Sequence, residues 1–205
     1  MNYKKGDKGE MVKRIQRELH LLPDGIFGEV TQEAVVAFQR ENNLEPDGIV
    51  GPATLAKLLA AKFSMKKSKR RIDEIVVHCT ATKPNQDLNV DDVRKMHKKQ
   101  GWSDIGYHYL IRLDGRIETG RDVDLIGAHV NGHNAHTIGV CYVGGLDANG
   151  KPYDTRTENQ KASLLSLLID LKKLYPKAVI KGHRDYPKVS KACPCFNAIN
   201  EYIRL

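Results

Sequence analysis

Apolar side chains recur along this chain at two different periods, and the change of period divides it. Val12, Ile15 and Leu19 fall on one helical face, as do Ala34, Val35 and Phe38, and then Leu55, Leu58 and Leu59. Three short helices around a shared core are predicted within residues 1–60. The periodicity stops over residues 61–71. Beyond residue 72, short apolar runs alternate with helical patterns. Ile75–His78 reads as a short buried strand. Residues 90–99 read as a helix with Val93, Met96 and His97 facing inward. Leu110–Leu113 and Arg116–Thr119 read as strands joined at Asp114-Gly115, a strong hairpin turn. Thr137–Val143 is a further strand, and residues 144–156 are loop. Thr157 and Gln160 form a capping box for a long helix through Leu174, buried along Leu164, Leu165, Leu168 and Leu171. Ala178–Lys181 is the last strand. The mixture predicts an α/β fold, one mixed central sheet flanked by helices, preceded by a small all-α three-helix domain.

The helical part contains a repeat. Asp24-Gly25-Ile26-Phe27-Gly28-Glu29-Val30-Thr31 returns as Asp47-Gly48-Ile49-Val50-Gly51-Pro52-Ala53-Thr54. Asp-Gly supplies a tight turn, and the second glycine of each motif permits a left-handed or closely packed backbone. Pro52 suits the first turn of a helix. With Gly9, the Val12…Ile15-Gln16…Leu19 helix and Ala37-Phe38-Gln39, these turns resemble the three-helix type of peptidoglycan-binding domain over about residues 6–60. The resemblance implies an anchor on the bacterial wall, without chemistry of its own.

Charge adds a boundary. The net charge is +8. Residues 1–60 carry 8 basic and 9 acidic side chains, residues 61–71 carry 6 basic and no acidic ones, and residues 72–205 carry 19 basic and 16 acidic. Most of the excess is thus the run Lys66–Arg71. A basic run can bind nucleic acid, but no aromatic residues interleave this one as single-stranded nucleic acid would want. A solvated, extended linker over residues 61–71 is expected instead, and no nucleic-acid partner. Hydrophobic content of 40% and charged content of 28% fit an ordinary globular protein, expected to be a monomer. No stretch approaches the roughly 20 apolar residues that span a membrane. The start, Met-Asn-Tyr-Lys-Lys-Gly-Asp, has no apolar run behind it, so no Sec-type signal peptide is expected. Cys79, Cys141, Cys193 and Cys195 lack a framework-like spacing and read as free or metal-bound thiols.

Candidate chemistry concentrates between Lys181 and Asn197. His183 and Cys193 stand ten positions apart with Lys191 between them. Imidazole nitrogen and thiolate sulfur are ligand types that zinc prefers. A third ligand must come from elsewhere, and His78 at the end of its strand is the best donor. Three protein ligands leave one tetrahedral position open, the pattern of a catalytic zinc. Against this, a buried cysteine is more often a small hydrophobe than a ligand. Cys79 points away from the face that carries His78 if the strand continues. His108 alternates away from Tyr107 and reads as structural. His129, His133 and His136 read most simply as a solvated loop, though contact with substrate or metal is open to them. By composition alone Tyr107 is a core tyrosine and Lys191 a surface lysine.

Val77-His78-Cys79-Thr80-Ala81-Thr82, Gly101-Trp102, Gly106-Tyr107-His108-Tyr109, Asp114-Gly115, Gly120-Arg121, Gly127-Ala128-His129, Ile138-Gly139-Val140-Cys141, Gly182-His183 and Lys191-Ala192-Cys193-Pro194 occur in that order. In this, about residues 72–203 of the part spanning 72–205 resemble the zinc-dependent N-acetylmuramoyl-L-alanine amidases of the second amidase family, which include phage T7-type lysozymes and peptidoglycan recognition proteins. The resemblance implies zinc ligands at His78, His183 and Cys193, and catalytic assistance from Tyr107 and Lys191. It implies cleavage between N-acetylmuramic acid and L-alanine by a phage-type endolysin, made in the host cytoplasm and acting on the wall after release. The alternative is a receptor that binds peptidoglycan without cutting it. Such a receptor typically lacks the cysteine ligand that Cys193 supplies. The chain departs from the family at Cys195, a second thiol near the metal, and at Asn197, which removes a carboxylate able to orient a ligand.

Overall fold

Side chains of the repeated motif build the N-terminal unit by hydrogen bonding as much as by apolar burial. The computed structural model describes residues 2–19, 21–60 and 65–205, and the chain forms two compact units, Met1–Lys62 and Phe63–Leu205. In the first, α1 (Glu10–Glu18), α2 (Glu29–Glu41) and α3 (Pro52–Ala60) are the predicted helices. Val12, Ile15, Phe27, Val35, Val50, Leu55 and Leu58 are buried among them. Leu19 and Phe38 are only half-buried, and the side chain of Leu59 and linker residues 61–64 lie outside the described part.

Two matching polar nodes fix the turns. The Gln16 amide donates to Asp24 Oδ1, to the Ile26 carbonyl and to Thr31 Oγ1, and its oxygen accepts from Gly25 N. Gln39 makes the same four bonds to Asp47, Ile49, Thr54 and Gly48. The left-handed positions are the first glycines of each turn, Gly25 and Gly48, at φ 80° and 72°. This corrects the expectation for the second glycines. Gly28 is extended, at φ −89°, because it is the N-cap of α2.

In the second unit the sheet order is β3-β2-β4-β1-β5. Its strands are β1 (Glu74–Cys79), β2 (Tyr109–Ile111), β3 (Ile117–Thr119), β4 (Thr137–Tyr142) and β5 (Val179–Gly182). Central β1 runs parallel to β4 and β5, β2 is parallel to β4, and only the β2–β3 hairpin is antiparallel. The buried central strands read as continuous apolar runs, as a sheet covered on both faces requires. α5 (Glu158–Leu174) covers the face of Ile75, Val77, Cys79, Val140 and Tyr142. Its capping box forms as expected, with Thr157 Oγ1 accepting from Gln160 N and Gln160 Oε1 from Thr157 N. α4 (Val90–Lys99) lies on the opposite face, where Val90 and Val93 pack with Leu110, Cys141 and Val143. Met96, expected inside, is 41% exposed. A short α6 (Ala198–Glu201) follows, capped by the Asn197 side chain, which accepts from Asn200 N.

The basic run differs from a solvated linker. Ser68 is buried, its N–H donating to the Tyr175 hydroxyl at 2.6 Å and its hydroxyl to the Val123 carbonyl. Arg70 donates to the carbonyls of Val123, Ala135 and Thr137. A guanidinium offers five donors in a fixed fork, and here they hold three backbone carbonyls at once.

Candidate metal centre and cleft

Parallel register brings the two predicted histidine ligands together. Val77 of β1 lies opposite Gly182 of β5, so the next residues, His78 and His183, emerge side by side at the carboxyl ends of neighbouring strands. Crevices at such ends are the usual sites of open α/β sheets. The two ring centroids are 4.7 Å apart. The loop after β5 then returns Cys193. The Cys193 carbonyl accepts from Arg184 N at 2.7 Å, and its sulfur accepts from Cys79 N at 3.2 Å. A Cβ on Gly182 would meet Pro194 Cδ at 2.6 Å, so only glycine lets the loop approach this closely.

The donor atoms of His78, His183 and Cys193 all lie within 4.8 Å of one another. Cys193 Sγ is 3.8 Å from His78 Nδ1. A tetrahedral ion with metal–sulfur and metal–nitrogen bonds of zinc's length sets such a pair about 3.6 Å apart. The spacing and the donor chemistry therefore fit a metal ion. Burial, followed by the neighbouring His129, His183 and Lys191, drives the His78 pKa well below its ordinary value. Burial and the Lys191 ammonium lower that of His183. Both imidazoles are thereby kept neutral, the form that ligates metal.

Tyr107 and Lys191 border the donor set. Tyr107 is half-buried, with its ring centroid 5.1 Å from that of His78. Burial raises its pKa well above that of a free phenol, so its hydroxyl is a donor. Lys191 is exposed on the rim. Both line a cleft of about 550 Å³, whose walls include Met96, Trp102, His183 and Cys193. An adjoining cleft shares Trp102, His183 and Lys191 and extends along Asn131, Lys188 and Val189.

The expectations for His129, Cys195 and Asn197 resolve differently, whereas Cys79 and His108 lie where the sequence put them. His133 and His136 are exposed, but His129 is 7% exposed and hydrogen-bonds His78. Its sequence signal is the Gly127-Ala128-His129 match to the family pattern. Cys79 lies on the α5 side of the sheet, as strand alternation requires. Cys195 turns toward Cys79 rather than the donor set, with sulfurs 3.8 Å apart, and donates to the Gly145 carbonyl. The adjacent Cys193 sulfur, ahead of burial, pushes the Cys79 thiol up to about 12. Asn197 serves as a helix cap and takes no part in the centre. His108 is buried and structural, its Nδ1 accepting from Gly139 N at 2.9 Å.

Comparison with known proteins finds relatives for both parts of the chain. Residues 68–196 match the N-acetylmuramoyl-L-alanine amidase family model (Amidase_2), and residues 8–58 match a peptidoglycan-binding domain model. The endolysin of Enterobacteria phage K11 is 47% identical over 129 residues, covering 63% of this chain and 84% of that protein. The endolysin of Escherichia phage T7 is 46% identical over 131 residues, covering 64% and 85%. Among solved structures, the N-acetylmuramoyl-L-alanine amidase LysC from Clostridium intestinale superposes with a TM-score of 0.55 at 32% identity, covering 66% of this chain and 84% of that one. With the family model spanning more than half of its length, the chain belongs to the N-acetylmuramoyl-L-alanine amidases, peptidoglycan hydrolases that here carry a peptidoglycan-binding domain.

Proposed function

We propose that this is a zinc-dependent endolysin that cleaves the amide between the lactyl carbonyl of N-acetylmuramic acid and L-alanine of the stem peptide. The observation that carries the zinc reading is the convergence of His78, His183 and Cys193 donor atoms within 4.8 Å at the mouth of a cleft. A zinc ion held by His78, His183 and Cys193 would supply Lewis acidity there. The Lys191 ammonium on the rim stabilises the oxyanion that develops as the amide is attacked. The Tyr107 hydroxyl, kept protonated by burial, donates a hydrogen bond to the same centre. Trp102 and Met96 give the cleft apolar walls that seat the substrate. Cys193 favours the enzyme over a binding-only receptor, because it completes a three-ligand set. Residues 1–60 hold the enzyme on the wall, and one copy of the chain suffices.

Digestion of purified peptidoglycan, with mass analysis of the products, tests the reading. Free stem peptides beginning at L-alanine are expected. New reducing sugar ends with intact muramoyl–alanine bonds would refute it.

A further inference from the structure

One buried imidazole is unused by the mechanism above. His129 borders both clefts and meets the Nε2 edge of His78, with its Nδ1 3.0 Å from His78 Nε2 and its Nε2 3.2 Å from Thr137 Oγ1. The Thr137 hydroxyl in turn donates to the Asn134 carbonyl. A carbonyl can only accept, and with the Thr137 proton on that 3.4 Å bond the chain of bonds takes one direction. The Thr137 proton goes to Asn134, and Thr137 Oγ1 accepts from His129 Nε2–H. His129 Nδ1 is then a bare acceptor for His78 Nε2–H. His78 Nδ1 is left with its lone pair facing Cys193 Sγ.

The surroundings are shaped to hold this ring. Asn134 Oδ1 accepts from both His129 N and Val130 N at 2.9 Å, fixing the loop. A Cβ at Gly139 would stand 2.7 Å from His129 Cγ and Cδ2, and one at Gly127 would stand 2.5 Å from Cδ2. Both contacts are too short for any side chain. The imidazole therefore lies flat on the backbone of β4, in space that two glycines leave open.

We infer that His129 is a positioning residue, which holds His78 in its Nε2–H tautomer and aims its Nδ1 at the metal. Hydrogen bonds of this kind fix ring orientation and ligand basicity in metal sites, and their loss typically weakens metal binding by about 10- to 100-fold. The inference rests on the zinc reading proposed above.

Two substitutions separate positioning from packing. His129→Asn places an amide oxygen where Nδ1 was, and keeps an acceptor for His78. His129→Gln places its amide near the Thr137 end, and removes that acceptor. Zinc affinity of the full chain is measured by competition with a chelator, beside the melting temperature of each variant. His129→Gln is expected to bind zinc about 10- to 100-fold more weakly, and His129→Asn to recover most of the loss. Nitrogen-15 NMR of the metal-free wild-type protein reads the His78 tautomer directly, whether or not either variant folds, and the Nε2–H form is expected. A His78 carrying its proton on Nδ1, wild-type affinity in His129→Gln, or equal weakening in both variants would overturn the inference. A wild-type chain that binds no zinc while showing the Nε2–H tautomer would instead count against the zinc reading alone.

Discussion

Tyr107 and Lys191 were legible only through the family pattern, because nothing in the spacing of a tyrosine and a lysine 84 positions apart announces a shared cleft. The roles proposed for them predict a dissociation of function from fold. Lys191→Ala and Tyr107→Phe should each keep zinc and melting temperature while losing about 100- to 1000-fold in turnover, the typical worth of one oxyanion donor. Substrate affinity should change little, since these groups meet charge only as it develops. Zinc content and turnover measured on the same preparations check this, and zinc loss would make either residue structural. His108 gives a pH signature. Burial holds its pKa at about 4 against an ordinary 6.5, and Nδ1 accepts a backbone N–H where a proton would have to go. The unfolded chain therefore binds the proton first. The neutral ring contributes its full stability above pH 6.5, and this is lost as pH falls toward 4, by roughly 3 kcal/mol at about 1.4 kcal/mol per unit. Arg70, 3.2 Å from Nε2, acts in the same direction. Denaturant unfolding at a series of pH values should show a flatter acid limb for His108→Asn.

At the scale of elements, helices and strands were largely readable because their signals are local. The period of α4, the Thr157–Gln160 capping box of α5 and the Asp114-Gly115 turn each lie within a few residues of what they specify. What was not readable depends on distant partners. Met96 fits the inward face by period, yet it is exposed at the cleft. His129 looked like loop, because its burial requires β4 to present Gly139 ten positions later. The Gln16 and Gln39 nodes were visible only as a repeat of turns, although each glutamine organises one turn and one helix start. Removing either glutamine orphans a buried glycine N–H and a buried threonine hydroxyl. At about 1–3 kcal/mol for each unsatisfied group, Gln16→Ala and Gln39→Ala should destabilise the N-terminal unit by similar amounts, on the order of 3 kcal/mol. Thermal unfolding of residues 1–62 would measure both, and a neutral effect at either site would show the node to be dispensable.

For the whole molecule, the division of labour between two compact units predicts that they separate. Residues 63–205 should keep amidase chemistry and lose retention on insoluble wall material, whereas residues 1–62 should be retained without cutting. The boundary matters. Ser68 and Arg70 tie the basic run to Val123, Tyr175 and the carbonyls at Ala135 and Thr137, next to the loop that carries His129. A chain beginning at residue 72 loses these bonds, and at roughly 1 kcal/mol each it should be several kcal/mol less stable than one beginning at 63. Charge alone suggested a free linker there, since composition cannot reveal which distant carbonyls Ser68 and Arg70 will reach. In the function proposed above, one zinc held by His78, His183 and Cys193 drives the amidase reaction. The most direct measurement is to strip the full chain with a chelator, titrate zinc back, and follow the release of stem peptides from purified peptidoglycan. Activity should rise from near zero to a plateau at one zinc per chain, with no recovery in Cys193→Ser at that ratio. Full activity in the stripped protein, or equal recovery in Cys193→Ser, would rule out a zinc held by these three residues.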